Sequence, residues 1–305
     1  MLKIVLTGGP CGGKSSALSK LTQILEERSY KVFTVWESAT PLILNGIKPS
    51  KQISMTEFQK FILDEQIASE KIFDQVVTYY DPDKVIIFYD RGIMDGAAYV
   101  DKETTFKSLL ASRGLTFAEA YNRYDAVLHL VTAADGAEKY YQWNNPDDIN
   151  VGNTAARSES PEEAIKKDIA TLNAWIGHPH LRVFDNSTDF KGKVDRIIEE
   201  VFALLGEPVP SEIERKYLIR KPTEEQIKNL GCISIQTYLK RDNDNIAERR
   251  VRQRGTKEDG FSFYYTEKTD VATGVRVEKE KKITPEEYLQ LLTEADTSLH
   301  QISKT

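Results

Sequence analysis

The first residues whose types and spacing suit a chemical task form a glycine-rich segment, LTGGPCGGKSS, at residues 6–16. Gly8 is followed after four residues by Gly13, Lys14 and Ser15, which is the spacing of a phosphate-binding loop. In such a loop backbone N–H groups converge on phosphate oxygens, a lysine reaches the outer phosphates and a hydroxyl reaches Mg²⁺. The alternative interpretation is a glycine turn without a ligand. The predicted nucleotide-binding residues are Gly8, Gly9, Pro10, Cys11, Gly12, Gly13, Lys14, Ser15 and Ser16.

Charged residues at two strand ends are the next candidates. The segment YDRG at residues 89–92 ends an apolar run, so Asp90 is expected at the carboxyl edge of a sheet, where it would hold Mg²⁺ together with Ser15. Arg91 beside it would meet an anionic group. Glu37 in VWESAT is expected on the same rim, as a ligand for a substrate hydroxyl or as a general base. A charged strand end in solvent is the alternative interpretation in each case.

A polar segment at residues 133–160 is too long for a plain connector, and loops of this kind are usually lids or disordered segments. Arg157, in NTAARSE, is predicted to close over the transferring phosphate. The aromatic residues Tyr140, Tyr141 and Trp143 either line the pocket or hold the loop together. With Lys14, Asp90 and Glu37, Arg157 completes the predicted catalytic set.

The elements that must position these residues alternate between strand and helix. Short apolar runs predict strands at residues 2–7, 31–37, 83–90, 126–132 and 181–187. The segment after Ser15 has helical periodicity, so the glycine loop lies between a strand and a helix. This order predicts an α/β fold with a parallel sheet and helices on both faces. Asn186, at the end of the fifth strand, is interpreted either as a contact to the nucleotide base or as part of a polar turn.

The pattern changes near LLGEPVPSEIERK, where Pro208 and Pro210 follow a helical stretch. We therefore predict a P-loop domain at residues 1–208 and a smaller domain at residues 209–305. In the second domain the segments EIERKYLI, AERRVRQR, FSFYYTEK and VRVEKEK alternate with a period of two, which predicts antiparallel β structure.

Period-two geometry also places many charged residues of the second domain on one face of its sheet. The predicted members are Glu212, Glu214, Lys216, Arg250, Arg252, Arg254, Lys268, Glu278 and Glu280. One interpretation is that the arginines and lysines clamp phosphates while Glu212 and Glu214 hold a divalent cation. The other is a solvated face of an ordinary sheet.

Composition limits the class of protein. Of the 305 residues, 40% are hydrophobic and 29% are charged, which is typical of a folded globular chain. The net charge of −6 argues against nucleic acid as a partner. Two cysteines suit a reducing compartment, and neither a secretory leader nor a run of eighteen apolar residues is evident, so a cytoplasmic location is expected. Peripheral membrane contact stays open.

Together the segments LTGGPCGGKSS, VWESAT, YDRGIMDGAAY, NTAARSE and HPHLRVFDNS resemble the P-loop domain shared by bacterial NadR ribosylnicotinamide kinases and TRPL translocation defect proteins. The resemblance covers residues 1 to about 208. It implies a kinase-like fold with Lys14, Ser15 and Asp90 at the nucleotide and Mg²⁺, and with Arg157 in a lid.

EIERKYLI resembles the Glu-x-Glu-x-Lys opening of CYTH domains, the triphosphate-tunnel fold, and a P-loop domain followed by a CYTH part is the arrangement of the TRPL translocation defect family. A closed barrel needs about eight strands, whereas this sequence predicts about four, so we expect an incomplete CYTH-like domain.

These patterns predict a protein that binds ATP or GTP with Mg²⁺ and whose CYTH-like part binds polyphosphate or phosphoinositides, in a regulatory role in membrane trafficking. The alternatives are a kinase that phosphorylates a small molecule and a triphosphate hydrolase. No Asn-Lys-x-Asp segment for guanine recognition is present, and the sequence does not decide between ATP and GTP.

Overall fold

The computed structural model of the chain describes residues 1–141, 159–206, 233–241, 246–257, 259–272, 275–296 and 302–304. Its residues form two compact units. The first comprises residues 1–115 and 123–197, and the second comprises residues 116–122 and 198–305.

The first unit is built on a five-stranded sheet in which every neighbouring pair is parallel. Its strands are β1 (Leu2–Thr7), β2 (Lys31–Val35), β3 (Val85–Asp90), β4 (Ala126–Leu130) and β5 (Leu181–Phe184), in the order β2-β3-β1-β4-β5. Its helices are α1 (Lys14–Glu27), α2 (Ala39–Leu44), α3 (Met55–Val76), α4 (Lys107–Ala111) and α6 (Pro161–Trp175). The predicted α/β fold with a parallel sheet is confirmed.

Strand β1 has the predicted bounds, and the other four strands of this sheet are shorter than the sequence predicts. Beyond Val35 the side chain of Trp36 is 73% exposed and the chain turns, so Glu37 follows β2 instead of ending it. Pro82–Lys84 forms a 3₁₀ turn, so β3 begins only at Val85. The last paired residues of β4 and β5 are Leu130 and Phe184, so these strands end before residues 132 and 187.

The carboxyl ends of these parallel strands meet at one rim of the sheet. The central strand β1 has Ile4, Val5 and Leu6 fully buried. Strands β1 and β3 are neighbours, with Leu6 paired to Asp90, so the glycine loop and Asp90 leave the sheet side by side. The fold therefore brings two of the predicted site segments together.

The second unit contains an antiparallel sheet. Its strands are β6 (Ile233–Tyr238), β7 (Ile246–Thr256), β8 (Gly260–Ala272), β9 (Val275–Ile283) and β10 (Ile302–Lys304), in the order β10-β6-β7-β8-β9. Helices α5 (Phe117–Asn122) and α8 (Pro285–Leu292) belong to this unit, and α7 (Phe190–Leu204) begins in the first unit and ends in the second. Three of the four predicted segments are confirmed as strands, EIERKYLI lies outside the described residues, and β6 was not predicted.

The two faces of this second sheet differ in character. On one face Leu239, Val251 and Tyr288 form an apolar cluster beneath α8. On the other face of β8, Tyr264 is only 1% exposed and its hydroxyl contacts Asn122 of α5. No helix among the described residues is long and apolar enough to cross a membrane.

Candidate functional site

The glycine loop joins β1 to α1 in a conformation that needs glycine. Gly8 has φ +128°, and a Cβ added there would lie 2.1 Å from the carbonyl oxygen of Leu130. Gly13 caps α1 in the left-handed region, with φ +87°. These positions let the loop lie against the end of β4 while the N-terminus of α1 points its free N–H groups toward the loop, which is the arrangement of a phosphate-binding site.

Lys14 is folded over this loop. Its Nζ donates to the carbonyl oxygens of Gly8 at 3.2 Å and Gly9 at 3.1 Å. Burial of the ammonium, followed by the positive charge of Arg91, lowers the pKa of Lys14 to about 8. An ammonium with this little hydration gains most from a bound anion, so Lys14 is suited to contact a phosphate.

Asp90 is the last residue of β3. Its Oδ1 is buried and has no hydrogen-bond partner among the described residues. Burial raises the pKa of Asp90, and the nearby charge of Lys14 opposes that rise. A buried carboxylate oxygen without a donor fits a hard divalent cation, and the Ser15 hydroxyl, on the exposed start of α1, would supply a second oxygen ligand to such a cation.

Beside Asp90, a network of charges holds Arg91. This residue has φ +70°, and its Nε lies 2.5 Å from Glu37 Oε1 while its guanidinium contacts Asp95 Oδ1 at 3.1 Å. Burial alone would favour the neutral acid, but the charge of Arg91 and hydrogen bonds from Thr40 and Arg91 hold the pKa of Glu37 below its usual value. Glu37 is therefore an ionised hydrogen-bond acceptor beside Arg91, and its role toward a substrate hydroxyl stays a prediction.

Asp95 is a functional candidate that the sequence analysis missed. It is 4% exposed, and its carboxylate accepts hydrogen bonds from the Gly92 N–H at 2.9 Å, from the Trp175 Nε1–H at 3.0 Å and from the Thr7 hydroxyl. It thus fixes the turn that carries Arg91. The only sequence signal was its place in YDRGIMDG, five residues after Asp90.

A cavity of about 180 Å³ opens next to this network. Its polar end is formed by Glu37, Arg91 and Asp95, and its apolar end by side chains of α2 and α3. The main apolar lining residues are Ile43, Met55, Phe58 and Ile62. A mostly apolar cavity with a few convergent polar groups is typical of a site for a small molecule. We call it the acceptor cavity.

Under the glycine loop lie three buried polar residues that sequence spacing did not reveal. Asp168 of α6 accepts a hydrogen bond from the Gly9 N–H at 2.5 Å, and His129 of β4 contacts its second oxygen at 3.2 Å. Lys193 of α7 donates to the carbonyl oxygen of Val131 at 2.7 Å. These residues are 5%, 0% and 2% exposed, respectively.

Other predicted residues have different surroundings. The Asn186 amide donates to the carbonyl oxygens of Thr132 and Asp135 and accepts from Lys193, so it holds the segment after β4 in place. Its contact to a base stays a prediction. Tyr140 is 63% exposed and Tyr141 donates to the carbonyl oxygen of Glu159. Arg157 and Trp143 lie outside the described residues.

The charged face of the second sheet is paired within itself. Arg250 contacts Glu278 at 3.0 Å, Arg252 contacts Glu280 at 2.7 Å, and Lys268 contacts Glu278 at 2.8 Å. The Nε atoms of Arg250 and Arg252 are buried without a hydrogen-bond partner among the described residues. Arg254 lies on the same strand, whereas Glu212, Glu214 and Lys216 are outside the described residues. Within the described part of the chain, no group of three or more histidine, cysteine or acidic side chains could hold a metal ion by itself.

A parallel sheet, a glycine loop between its central strand and the first helix, and a lysine folded over that loop define a P-loop domain. The comparison with protein families agrees: the model described as an AAA domain matches residues 3–193, more than half of the chain. The chain therefore belongs to the AAA domain family, which indicates nucleotide binding. A search of curated proteins found no match to the chain.

Proposed function

We propose that this protein binds a nucleoside triphosphate with Mg²⁺ at the glycine loop and transfers its γ-phosphoryl group to a small molecule in the acceptor cavity. The observation that carries the proposal is the position of this cavity. Glu37, Arg91 and Asp95 line it, and the same three side chains act electrostatically on Lys14 at the phosphate loop. The charges of Glu37, Arg91 and Asp95 thus act both on the acceptor cavity and on the lysine of the phosphate loop.

The protein's residues would divide the reaction between them. Lys14 and the loop N–H groups would hold the triphosphate, and Glu37 would accept a hydrogen bond from the attacking hydroxyl and orient it. Asp90 and Ser15 fit Mg²⁺, which would supply neutralisation of the phosphate charge. Because phosphoryl transfer depends mainly on positioning and electrostatics, a strong base is not required. The resemblance to ribosylnicotinamide kinases adds Arg157 as a lid residue.

The first prediction concerns Lys14. Lys14→Ala should weaken Mg-ATP and Mg-GTP binding by at least about 100-fold, because it removes the cation that contacts the phosphates. The fold should persist, because the hydrogen bonds of the Lys14 side chain go only to carbonyl oxygens of the loop among the described residues. Isothermal titration of the parent and the variant, with Lys20→Ala on the exposed face of α1 as the matched control, measures the change.

The second prediction concerns the two acidic residues: Asp90→Asn and Glu37→Gln should still bind nucleotide but should lose phosphoryl transfer. Transfer is measured as the release of nucleoside diphosphate in the presence of hydroxyl compounds as acceptors. Nucleotide binding by Lys14→Ala at parental affinity would contradict the proposed nucleotide site. Phosphoryl transfer by both acidic variants at the rate of the parent would contradict the proposed roles of Asp90 and Glu37. If the parent binds nucleotide but transfers no phosphoryl group, the protein is a nucleotide-dependent switch and not a kinase.

A second candidate function rests on the charged face of the second sheet. Arg250 and Arg252 form ion pairs with Glu278 and Glu280, and their Nε atoms are buried without a hydrogen-bond partner among the described residues. A phosphorylated ligand would replace these ion pairs with charge-assisted hydrogen bonds to the two arginines. In this candidate the sheet is a CYTH-like module, as in TRPL translocation defect proteins, and binds polyphosphate or phosphoinositides while the P-loop domain acts as a regulator in trafficking. The domain boundary at residue 208 and a cytoplasmic location belong to the same proposal.

A further inference from the structure

One peptide group in the glycine loop is held from both sides. The N–H of Gly9 donates to Asp168 Oδ1 at 2.5 Å, and the carbonyl oxygen of Gly8, in the same peptide, accepts from Lys14 Nζ at 3.2 Å. In a trans peptide the N–H and C=O groups point in opposite directions. Asp168 on one side therefore determines that a carbonyl oxygen, and not an N–H, faces Lys14 on the other.

This peptide needs an anchor because it joins two glycines. Neither residue has a Cβ, and Gly8 already has φ +128°. The steric clashes that restrict the orientation of a peptide between two larger residues are therefore missing here. Rotation of the peptide by half a turn would direct the N–H toward the ammonium of Lys14. An N–H dipole facing an ammonium is repulsive, and Lys14 would lose one of its two acceptors in the loop.

Asp168 is itself well fixed. It lies in the middle of α6, is 5% exposed and has its second oxygen in contact with His129 Nε2 at 3.2 Å. A Cβ added to Gly9 would lie 2.8 Å from Asp168 Oδ1, so helix and loop are in close contact at this point. Asp168 and Gly9 are 159 residues apart in the chain, and the contact exists only in the folded unit.

We propose that Asp168 is a positioning residue for Lys14: by accepting the Gly9 N–H it orients the Gly8–Gly9 peptide and so places the ammonium over the phosphate site. The proposal rests on the proposed nucleotide binding at this loop. Asp168 does not touch the phosphates in this arrangement. Its effect on the nucleotide passes through one peptide group and one lysine.

The test compares the affinity of four purified full-length proteins for Mg-ATP and Mg-GTP by isothermal titration: the parent, Asp168→Ala, Asp168→Asn and Thr171→Val. Thr171 is the matched control, because it is fully buried on the same helix and its hydroxyl bonds, among the described residues, to the carbonyl oxygen of Lys167. Thermal melting of the nucleotide-free proteins reports whether each variant is folded.

We expect Asp168→Ala to weaken nucleotide binding at least about tenfold, the loss appropriate to a charge-assisted hydrogen bond. Asp168→Asn keeps an oxygen for the Gly9 N–H, and its N–H₂ group can donate to His129 Nε2 once the ring proton of His129 moves to Nδ1, so its affinity should stay within about threefold of the parent. Thr171→Val should bind as the parent does. Rescue by asparagine distinguishes an oriented hydrogen bond from a requirement for negative charge at this position.

Equal affinity of the parent and Asp168→Ala would overturn the proposal, and so would an equal loss in Asp168→Asn and Asp168→Ala. If Asp168→Ala does not fold, Asp168→Ser takes its place, because its hydroxyl is too short to reach both partners, and the same criteria hold. Failure of both to fold would assign Asp168 to the stability of the fold and would also overturn the proposal. Absence of nucleotide binding by the parent would contradict the proposed function instead.

Discussion

Lys193 is a lysine with two internal acceptors and almost no access to water. Its Nζ donates to the Val131 carbonyl oxygen and to Asn186 Oδ1, and it is 2% exposed. Burial lowers the pKa of Lys193 from 10.5 to about 8, against the opposing charge of Asp168. The neutral amine still has two N–H groups for the two acceptors, so the folded protein loses little when this lysine is deprotonated.

This gives the third prediction, on the pH dependence of stability. Between pH 8 and 10.5 the unfolded chain keeps the Lys193 proton and the folded protein does not, so the free energy of unfolding should rise with pH relative to Lys193→Met. The expected gain is up to about 3 kcal/mol over that window, with no further change below pH 8. Urea unfolding of both proteins at several pH values measures it.

Lys191→Met is the control for this experiment, since Lys191 lies on the same helix with its side chain 82% exposed and its pKa raised by Asp195. Its difference from the parent should not rise with pH. A flat or falling difference for Lys193→Met would show that the buried ammonium keeps its proton in the folded protein.

At this scale the sequence predicted residues whose chemistry is local. Lys14 and Ser15 were predicted from their spacing to Gly8, and Asp90 was predicted because it ends an apolar run. Asp95 and Asp168 were missed because their partners are distant in the chain: Trp175 is 80 residues from Asp95, and Gly9 is 159 residues from Asp168. A pattern read along one segment contains no information on such pairs.

At the scale of elements, β7 shows how one strand serves two purposes. Arg249 is 7% exposed on the apolar face, where it bonds to Tyr265, to the Lys240 carbonyl oxygen and to Glu294. Arg250 and Arg252 point to the opposite face and pair with glutamates of β9. Alternation along a strand therefore separates an arginine that supports the apolar face from the arginines of the charged face.

The fourth prediction follows from this alternation. The double variant Arg250→Gln with Arg252→Gln should weaken binding of tripolyphosphate, or of vesicles that contain phosphoinositides, by about tenfold or more, because each arginine can form charge-assisted bonds to phosphate. Affinity of the parent should fall as ionic strength rises. Titrations at two salt concentrations measure both effects, and nucleotide binding at the glycine loop should be unchanged.

Lys281→Gln is the matched control, since Lys281 is exposed on β9 and lies near the Tyr265 ring on the other face. It should bind phosphates as the parent does. Equal binding by the parent and the double variant would mean that the charged face is only a self-paired surface of the sheet. Binding to vesicles but not to tripolyphosphate would assign the ligand to a membrane surface.

Elements were predicted with uneven success for a physical reason. The buried parallel strands and three antiparallel strands carry apolar runs or period-two alternation, and the structure confirms them. The parallel strands other than β1 were predicted too long, in the case of β2 because the polar rim residue Glu37 continues the pattern after the pairing has stopped, whereas the three antiparallel strands extend beyond the predicted segments. Strand β6 was missed although Ile233 and Ile235 alternate with polar residues. The strand predicted in EIERKYLI lies outside the described residues and stays a prediction.

At the scale of the whole molecule, the two units do not follow one another simply along the chain. Residues 116–122 belong to the second unit although residues on both sides of them belong to the first. The backbone N–H of Ala118 donates to the Asp259 carbonyl oxygen at 3.2 Å, and Asn122 contacts Tyr264 and Lys282. The domain boundary at residue 208 was predicted from sequence composition, and α5 lies on the N-terminal side of it although it belongs to the second unit.

The fifth prediction uses a fragment of residues 1–208. It contains every strand of the parallel sheet and the complete glycine loop, so it should bind Mg-nucleotide with an affinity close to that of the full chain. Its α5 segment lacks the strands on which it packs, so amide hydrogen exchange in residues 116–122 should be at least about tenfold faster than in the full chain. Unchanged protection of this segment would show that α5 is held without β8.

The assignment of α5 also sets an order of events during synthesis. Asn122 and its contact Tyr264 are 142 residues apart, so at a translation rate of about 5–20 residues per second the helix leaves the ribosome roughly 7 to 30 s before its strand exists. Phe117 and Ala120 of the same helix are both buried in the finished protein. Until β8 has been made, α5 therefore lacks the strand that it contacts in the finished protein.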